Sequence, residues 1–223
     1  MRSESNNTMR LTKNSKLVMI GDSITDAGRA QPDGEGLGDA LGHGYVALVD
    51  ALLGATYPYH PIRIINKGTG GNTVRDLKRR WQADVIDLKP DFVSIMIGIN
   101  DVWRQFDSPK QVDSHVYIEE YEATLNDLIA RTKSAGATVI LMTPFYIESN
   151  RDDAMRAQMD RYGEVVKRLA LTHDSILVDT QAGFDSILSH IYSATLCWDR
   201  VHPSKTGHMA IARAFLNALD FEW

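Results

Sequence analysis

The chain has 223 residues, 43% of them hydrophobic and 24% charged, and its 24 Lys and Arg against 29 Asp and Glu leave a net charge of −5. This length buries most of its apolar surface in one large domain or two small ones, and the composition excludes disordered, collagen-like and disulfide-stapled chains. A net-acidic chain has no general attraction for phosphate backbones or anionic bilayers, which argues against nucleic acid and membrane as partners.

Residues 1–15 hold two arginines, one lysine and several Ser and Asn, with no apolar segment. The stretch does not read as a secretory signal. The expectation is a frayed, disordered extension on a mature cytoplasmic protein, followed by a single domain over 16–223. From there short apolar runs alternate with amphipathic stretches. A strand is expected at 17–21, a helix near 44–56 and a second strand at 62–66. Val74, Leu77, Trp81, Val85 and Leu88 then recur at spacings of three and four, the period of a helix. A strand at 92–98 follows, then a helical stripe of Ile118, Tyr121, Leu125 and Leu128, and a strand at 138–143. A helix near 153–172, a strand at 176–179 and helices near 181–192 and 204–219 complete the pattern. The strand runs are rich in Ile and Val without polar alternation, as expected where both faces are covered. Five strands alternating with helices imply an α/β fold, a three-layer α/β/α sandwich on a five-stranded parallel, flavodoxin-like sheet. Sites in such sheets form beyond the carboxyl ends of the strands.

Four blocks stand at those places: Gly21-Asp22-Ser23-Ile24-Thr25-Asp26, then Gly68-Thr69-Gly70-Gly71-Asn72-Thr73, then Gly98-Ile99-Asn100-Asp101, and Asp199-Arg200-Val201-His202-Pro203 ahead of the last helix. A serine hydroxyl is a poor nucleophile without a base. His202 is the candidate base for Ser23. Asp199, three residues earlier, can hold one imidazole nitrogen and leave the other for the serine. Gly70-Gly71 permits unusual backbone angles, Asn100 offers an amide that cannot lose a proton, and the Ser23 N–H makes a third candidate donor for an oxyanion. Each block alone is a weak signal; their weight comes from occurring together, each at a strand end or helix start.

With these blocks the sequence resembles the SGNH (GDSL-like) hydrolase family along nearly its whole length from Leu17. The resemblance implies Ser23 as nucleophile, His202 as base, Asp199 as its partner, and Ser23, Gly71 and Asn100 as the oxyanion hole. The nucleophile block reads Ser-Ile where the family name has Ser-Leu. The segments NKGTGGNTVRDLKRRW, SIMIGINDVWRQFD, LMTPFYIE, WDRVHPS and the terminal FEW are closer still to intracellular acetylxylan esterases within that family. That narrower likeness implies deacetylation of xylo-oligosaccharides by a cytoplasmic homo-oligomer, with no cofactor and no metal.

Trp103, Arg104 and Trp198 flank two of the blocks and are candidate sugar contacts, set against core packing or subunit contact for the tryptophans and an ion pair for the arginine. Arg29 and Tyr192 are weaker candidates. His43, His60, His115, His173, His190 and His208 are scattered, and beyond Asp199 and His202 no further metal ligand stands at a recognisable spacing. The sole cysteine, Cys197, reads as a small buried thiol. Lys78-Arg79-Arg80 reads as the solvated side of a helix. Two other function classes compete. One is a thioesterase, lysophospholipase or arylesterase on the same scaffold. The other is a flavodoxin-like binding module holding a phosphate at 68–73, although that loop lacks the Lys-Ser/Thr ending of a phosphate-binding loop. The usual α/β-hydrolase fold is disfavoured because the Gly-x-Ser-x-Gly elbow is missing.

Overall fold

A computed structural model of the chain describes residues 9–223. Five parallel strands form one sheet: β1 (Lys16–Gly21), β2 (Arg63–Gly68), β3 (Phe92–Met96), β4 (Thr138–Met142) and β5 (Ile176–Val178), in the order β2-β1-β3-β4-β5. This is the flavodoxin-like order, and the chain reverses its direction across the sheet between β1 and β3. Right-handed crossovers then require the β1-to-β2 helix to lie on one face and the later crossover helices on the other. Accordingly α2 (Tyr45–Thr56) packs against α9 (Lys205–Ala218). Opposite them α3 (Val74–Trp81) packs on α5 (Ile118–Ser134), and α5 on α6 (Ala154–Thr172). Leu17 to Ile20, Val93, Ile140 and Leu141 are buried between the layers, as their unbroken hydrophobicity demands. Among the described residues no helix is long and apolar enough to cross a membrane.

Several boundaries differ from the sequence reading. Residues 1–8 lie outside the described part of the chain, but 9–15 are not a frayed extension. Met9 and Leu11 are buried, the Arg10 N–H donates to the Leu219 carbonyl and the Asn14 N–H to that of Pro61. Two isolated apolar side chains gave no periodicity to read, yet they close the open end of the core beside α9. The stripe from Val74 continues past α3 through a π-helical turn at Gln82–Ile86, where Val85 stays buried. A helix absent from the expected pattern, α4 (Ile99–Asp107), starts directly after β3. The helix expected over 181–192 is instead α7 (Thr180–Leu188) followed, after a break, by α8 (Ser193–Leu196). Edge strand β2 is covered by the loop that follows α1 (Ser23–Asp26): Gly34 bridges to Asn66, and the Asn66 side chain donates to the Thr25 and Leu41 carbonyls. That cover removes an exposed sheet edge and ties α1 to β2.

Candidate active site

The four blocks converge on the carboxyl edge of the sheet at its switch point. β1 and β3 end so close together there that a Cβ on Gly21 would run into the Met96 carbonyl and the Thr25 side chain. Asp22 then takes an extended backbone and caps α1, its Oδ1 accepting from the Ile24 N–H at 3.0 Å. Ser23 is the first helical residue.

The base arrives from the far end of the chain. Between α8 and α9, Arg200 sits in the left-handed region (φ 65°) and turns the backbone so that Asp199 and His202 face each other. The Arg200 carbonyl accepts from the Ile147 N–H at 3.0 Å and its guanidinium pairs with Glu148 at 2.9 Å, which pins this turn to the segment after β4. His202 Nδ1 donates to Asp199 Oδ2 at 2.7 Å, leaving Nε2 to accept from Ser23 Oγ at 3.0 Å. Asp199 Oδ1 accepts from the His202 N–H (2.8 Å), the Val201 N–H (2.9 Å) and the Cys197 thiol (2.8 Å). Partial burial opposes the carboxylate charge, but these hydrogen bonds outweigh it and hold Asp199 well below the usual carboxylate range. Burial, with the adjacent Asp199, pushes Cys197 up to about 12, so it stays a thiol and a donor. Sequence reading recognised the buried thiol but not its contact with the carboxylate.

The donor side is built by the two glycine-containing blocks. Gly71 has φ +76° with open space where a side chain would lie, a conformation that favours glycine, and its N–H has no partner among the described residues. Asp26 Oδ2 accepts from the neighbouring Gly70 N–H at 3.2 Å and steadies the loop. Asn100, in the first turn of α4, donates one amide hydrogen to the Asn72 carbonyl at 2.9 Å, while its Oδ1 accepts from Arg104 at 3.3 Å. The amide therefore cannot flip, and its second hydrogen remains to be shared. A cleft of about 290 Å³ runs from Gly71 past Thr73, Arg79 and Arg104 to Ser114.

The flanking candidates fall in different places. The Trp103 ring stands edge-on to the His202 ring, centroids 5.9 Å apart. Trp198 is 89% exposed, and Tyr192 is exposed as well. Arg104 bonds Asn100, pairs with Asp107 and lies over the Trp103 ring, all within α4. Arg29 is buried and donates to the Gly68 carbonyl at 2.6 Å, a staple between the β2 end and the cover loop. Burial lowers His208 to about 4, so its neutral ring accepts from the Tyr45 N–H at the start of α2 at neutral pH. Among the described residues no group of three or more His, Cys, Asp or Glu is arranged to hold a metal.

Two features escaped the sequence reading. Arg80 does not lie on a solvated face with Arg79 and Lys78; its side chain is 18% exposed and reaches under the strand ends. The neighbouring charged run masks it, but its position three residues after Leu77 brings it to the border of the buried stripe. The second is a pair of buried carboxyls. Asp22 and Asp101 are both pushed up to about 7, chiefly by burial, and Asp101 Oδ2 has no hydrogen-bond partner. Asp101 Oδ1 accepts from the Val74 N–H at 3.0 Å and so joins the start of α4 to the start of α3. Below about pH 4 both folded and unfolded chains protonate it; from about pH 4 to 7 only the folded chain does, so stability from this group falls as pH rises. Asp101→Asn removes that proton. Its melting temperature relative to the parent is expected to be several degrees more favourable at pH 8 than at pH 5, about 1 kcal/mol being worth roughly 2–4 °C at this chain length. Equal differences at the two pH values in thermal melts would show that Asp101 is ionised throughout.

The family model for GDSL-like lipases and acylhydrolases matches residues 19–210. An acetylxylan esterase from Geobacillus stearothermophilus is 60% identical over 215 residues, covering 96% of this chain and 98% of that protein. The crystal structure of Axe2, an acetylxylan esterase from that organism, superimposes with a TM-score of 0.95 at 60% identity, over 96% of this chain and 98% of the other. Its catalytic mutants, with a serine, an aspartate or a histidine replaced by alanine, match with the same TM-score. LAE5, described as an alpha/beta hydrolase enzyme from the metagenome of Lake Arreo in Spain, is 56% identical with a TM-score of 0.94, over 95% and 98% of the two chains.

Proposed function

The chain belongs to the GDSL-like lipase/acylhydrolase family and is a carboxylic ester hydrolase, and we propose that it removes acetyl groups from acetylated xylo-oligosaccharides with Ser23, His202 and Asp199 as its triad. The observation that carries this is the unbroken line from Ser23 Oγ to His202 Nε2 (3.0 Å) and from His202 Nδ1 to Asp199 Oδ2 (2.7 Å), in a chain 60% identical to an acetylxylan esterase. Ser23 Oγ attacks the acetyl carbonyl while His202 Nε2 takes its proton. The tetrahedral oxyanion is met by the N–H groups of Ser23 and Gly71 and the free amide hydrogen of Asn100. The imidazolium, stabilised by Asp199, then protonates the sugar oxygen as the C–O bond breaks. Water, deprotonated by His202, hydrolyses the acetyl-Ser23 ester and frees acetate. No step draws on a metal or organic cofactor.

Trp103, beside the imidazole that meets the leaving sugar, and the open face of Trp198 are the surfaces we assign to sugar stacking. Arg104 lines the cleft and holds Asn100 and Asp107 with two of its five N–H groups, which leaves others for a sugar hydroxyl. Self-association and a cytoplasmic place of work accompany this reading. Exposed Tyr192 suits burial between copies of the chain, which light scattering measures, and cell fractionation measures the location. Acetate release from acetylated xylo-oligosaccharides, with acetylated glucose and cellobiose as comparators, tests the substrate. An acetyl specialist is expected to lose ~10-fold or more in kcat/KM between acetate and butyrate esters, since overfilling a packed acyl site costs roughly 1–3 kcal/mol. Rising activity on longer chains would point to a thioesterase or lysophospholipase instead.

A further inference from the structure

We propose that Arg80 is a positioning residue for the oxyanion hole, acting through Asn72 on the amide of Asn100. The proposal rests on the assignment of Asn100 as an oxyanion donor and goes one shell beyond it. A single guanidinium ties two strand ends, those of β1 and β2, to the loop after β2 and to the helical turn after α3. Arg80 Nη2 donates to the Gly21 carbonyl at 3.0 Å, next to Asp22 and Ser23. Its Nη1 donates to the Lys67 carbonyl and to Asp84 Oδ2, both at 2.8 Å, and Nε donates to Asn72 Oδ1 at 2.8 Å. Four directed bonds from one rigid planar group fix both distance and tilt, which an ammonium on a flexible stem cannot do. Asp84 is kept ionised against its burial by hydrogen bonds from Arg80 and Lys67, so the anchor for the guanidinium is itself fixed.

Asn72 is otherwise attached through a long N–H bond to the Thr69 carbonyl, 3.3 Å, and Gly71 before it has open space on its side-chain face. Beyond it the Thr73 N–H, in the same peptide unit as the Asn72 carbonyl, donates to Asp76 Oδ2 at 2.9 Å, so Arg80 and Asp76 hold that carbonyl from its two sides. The Asn72 carbonyl is the acceptor that orients the Asn100 amide, at 2.9 Å. A drift of Asn72 therefore carries the Asn100 donor with it. Donors act only when they lie about 2.7–3.1 Å from where the oxyanion forms, so a small drift weakens the transition state while the ground-state ester is held as before.

The test is steady-state kinetics on a simple acetate ester for Asn72→Ala, Arg80→Lys, Asn100→Ala and the pairs N72A/N100A and R80K/N72A. Asn72→Ala removes only a partly exposed side chain and is the variant least able to disturb folding; a thermal melt accompanies each. Asn72→Ala and Arg80→Lys are each expected to lower kcat about tenfold with KM within about twofold, since a 1 Å misplacement can cost ~10²-fold. In the Asn100→Ala background, Asn72→Ala is expected to add little, and R80K/N72A to be no slower than either single variant, the sign of residues acting along one line. Parental kcat in Asn72→Ala overturns the proposal. So does a full, additive loss in N72A/N100A, which would mean that Arg80 and Asn72 act as general supports of the fold. If Asn100→Ala itself keeps parental kcat, it is the oxyanion assignment that fails.

Discussion

Ser23→Ala is expected to lower kcat on a simple acetate ester by ~10⁴-fold or more while leaving the melting temperature within a degree or two of the parent. The hydroxyl forms the acyl-enzyme bond, and in serine hydrolases loss of the nucleophile leaves only what the oxyanion donors and binding provide. The fold has little at stake in it. Ser23 is only partly buried, its Oγ bonds only His202, and the cap on α1 comes from Asp22. Activity and thermal melts on the purified variant decide the matter, and a variant with near-parental turnover removes Ser23 from the reaction.

The second large effect is expected at Asp199, where the structure makes the conservative change a harsh one. Oδ1 is surrounded by three donors, the two backbone N–H groups of Val201 and His202 and the Cys197 thiol. In Asp199→Asn the amide oxygen must occupy that position, because an NH₂ there would face three donors. Its nitrogen is then forced toward His202 Nδ1. A donor at that position selects the imidazole tautomer with hydrogen on Nε2, which points a donor at Ser23 and leaves no base. The expected loss in kcat is about 10³–10⁴-fold, with the ester KM little changed. Single-turnover acetyl release compared with the parent measures it. If Asp199→Asn retains more than about a tenth of parental kcat, Asp199 does not set the tautomer.

The sheet was legible because each buried parallel strand leaves an unbroken Ile- and Val-rich run, and the reversal of chain direction follows from crossover handedness. Ser23, Asn100, Asp199 and His202 were nameable because turn chemistry and strand ends coincide there. What stayed hidden had a different physical character. Arg80 lies in a run of three basic residues, and nothing local says which of them turns inward. Asp22 and Asp101 read as ordinary acids at helix starts; only tertiary packing shows that water is excluded from them. The helix Ile99–Asp107 begins within two residues of β3, too near for an apolar strand run and a helical stripe to be separated. Its signal was nonetheless present in Ile99, Val102 and Phe106, spaced by three and four. Met9 and Leu11 gain their place from α9, nearly the whole chain away.

The hydroxyl and the imidazole it meets are 179 positions apart. A polypeptide emerging from the ribosome therefore carries its nucleophile through the synthesis of the next 179 residues with no base to arm it. Hydrolytic power requires the segment carrying His202 to be made and α9 to pack against α2, which brings the imidazole to the hydroxyl.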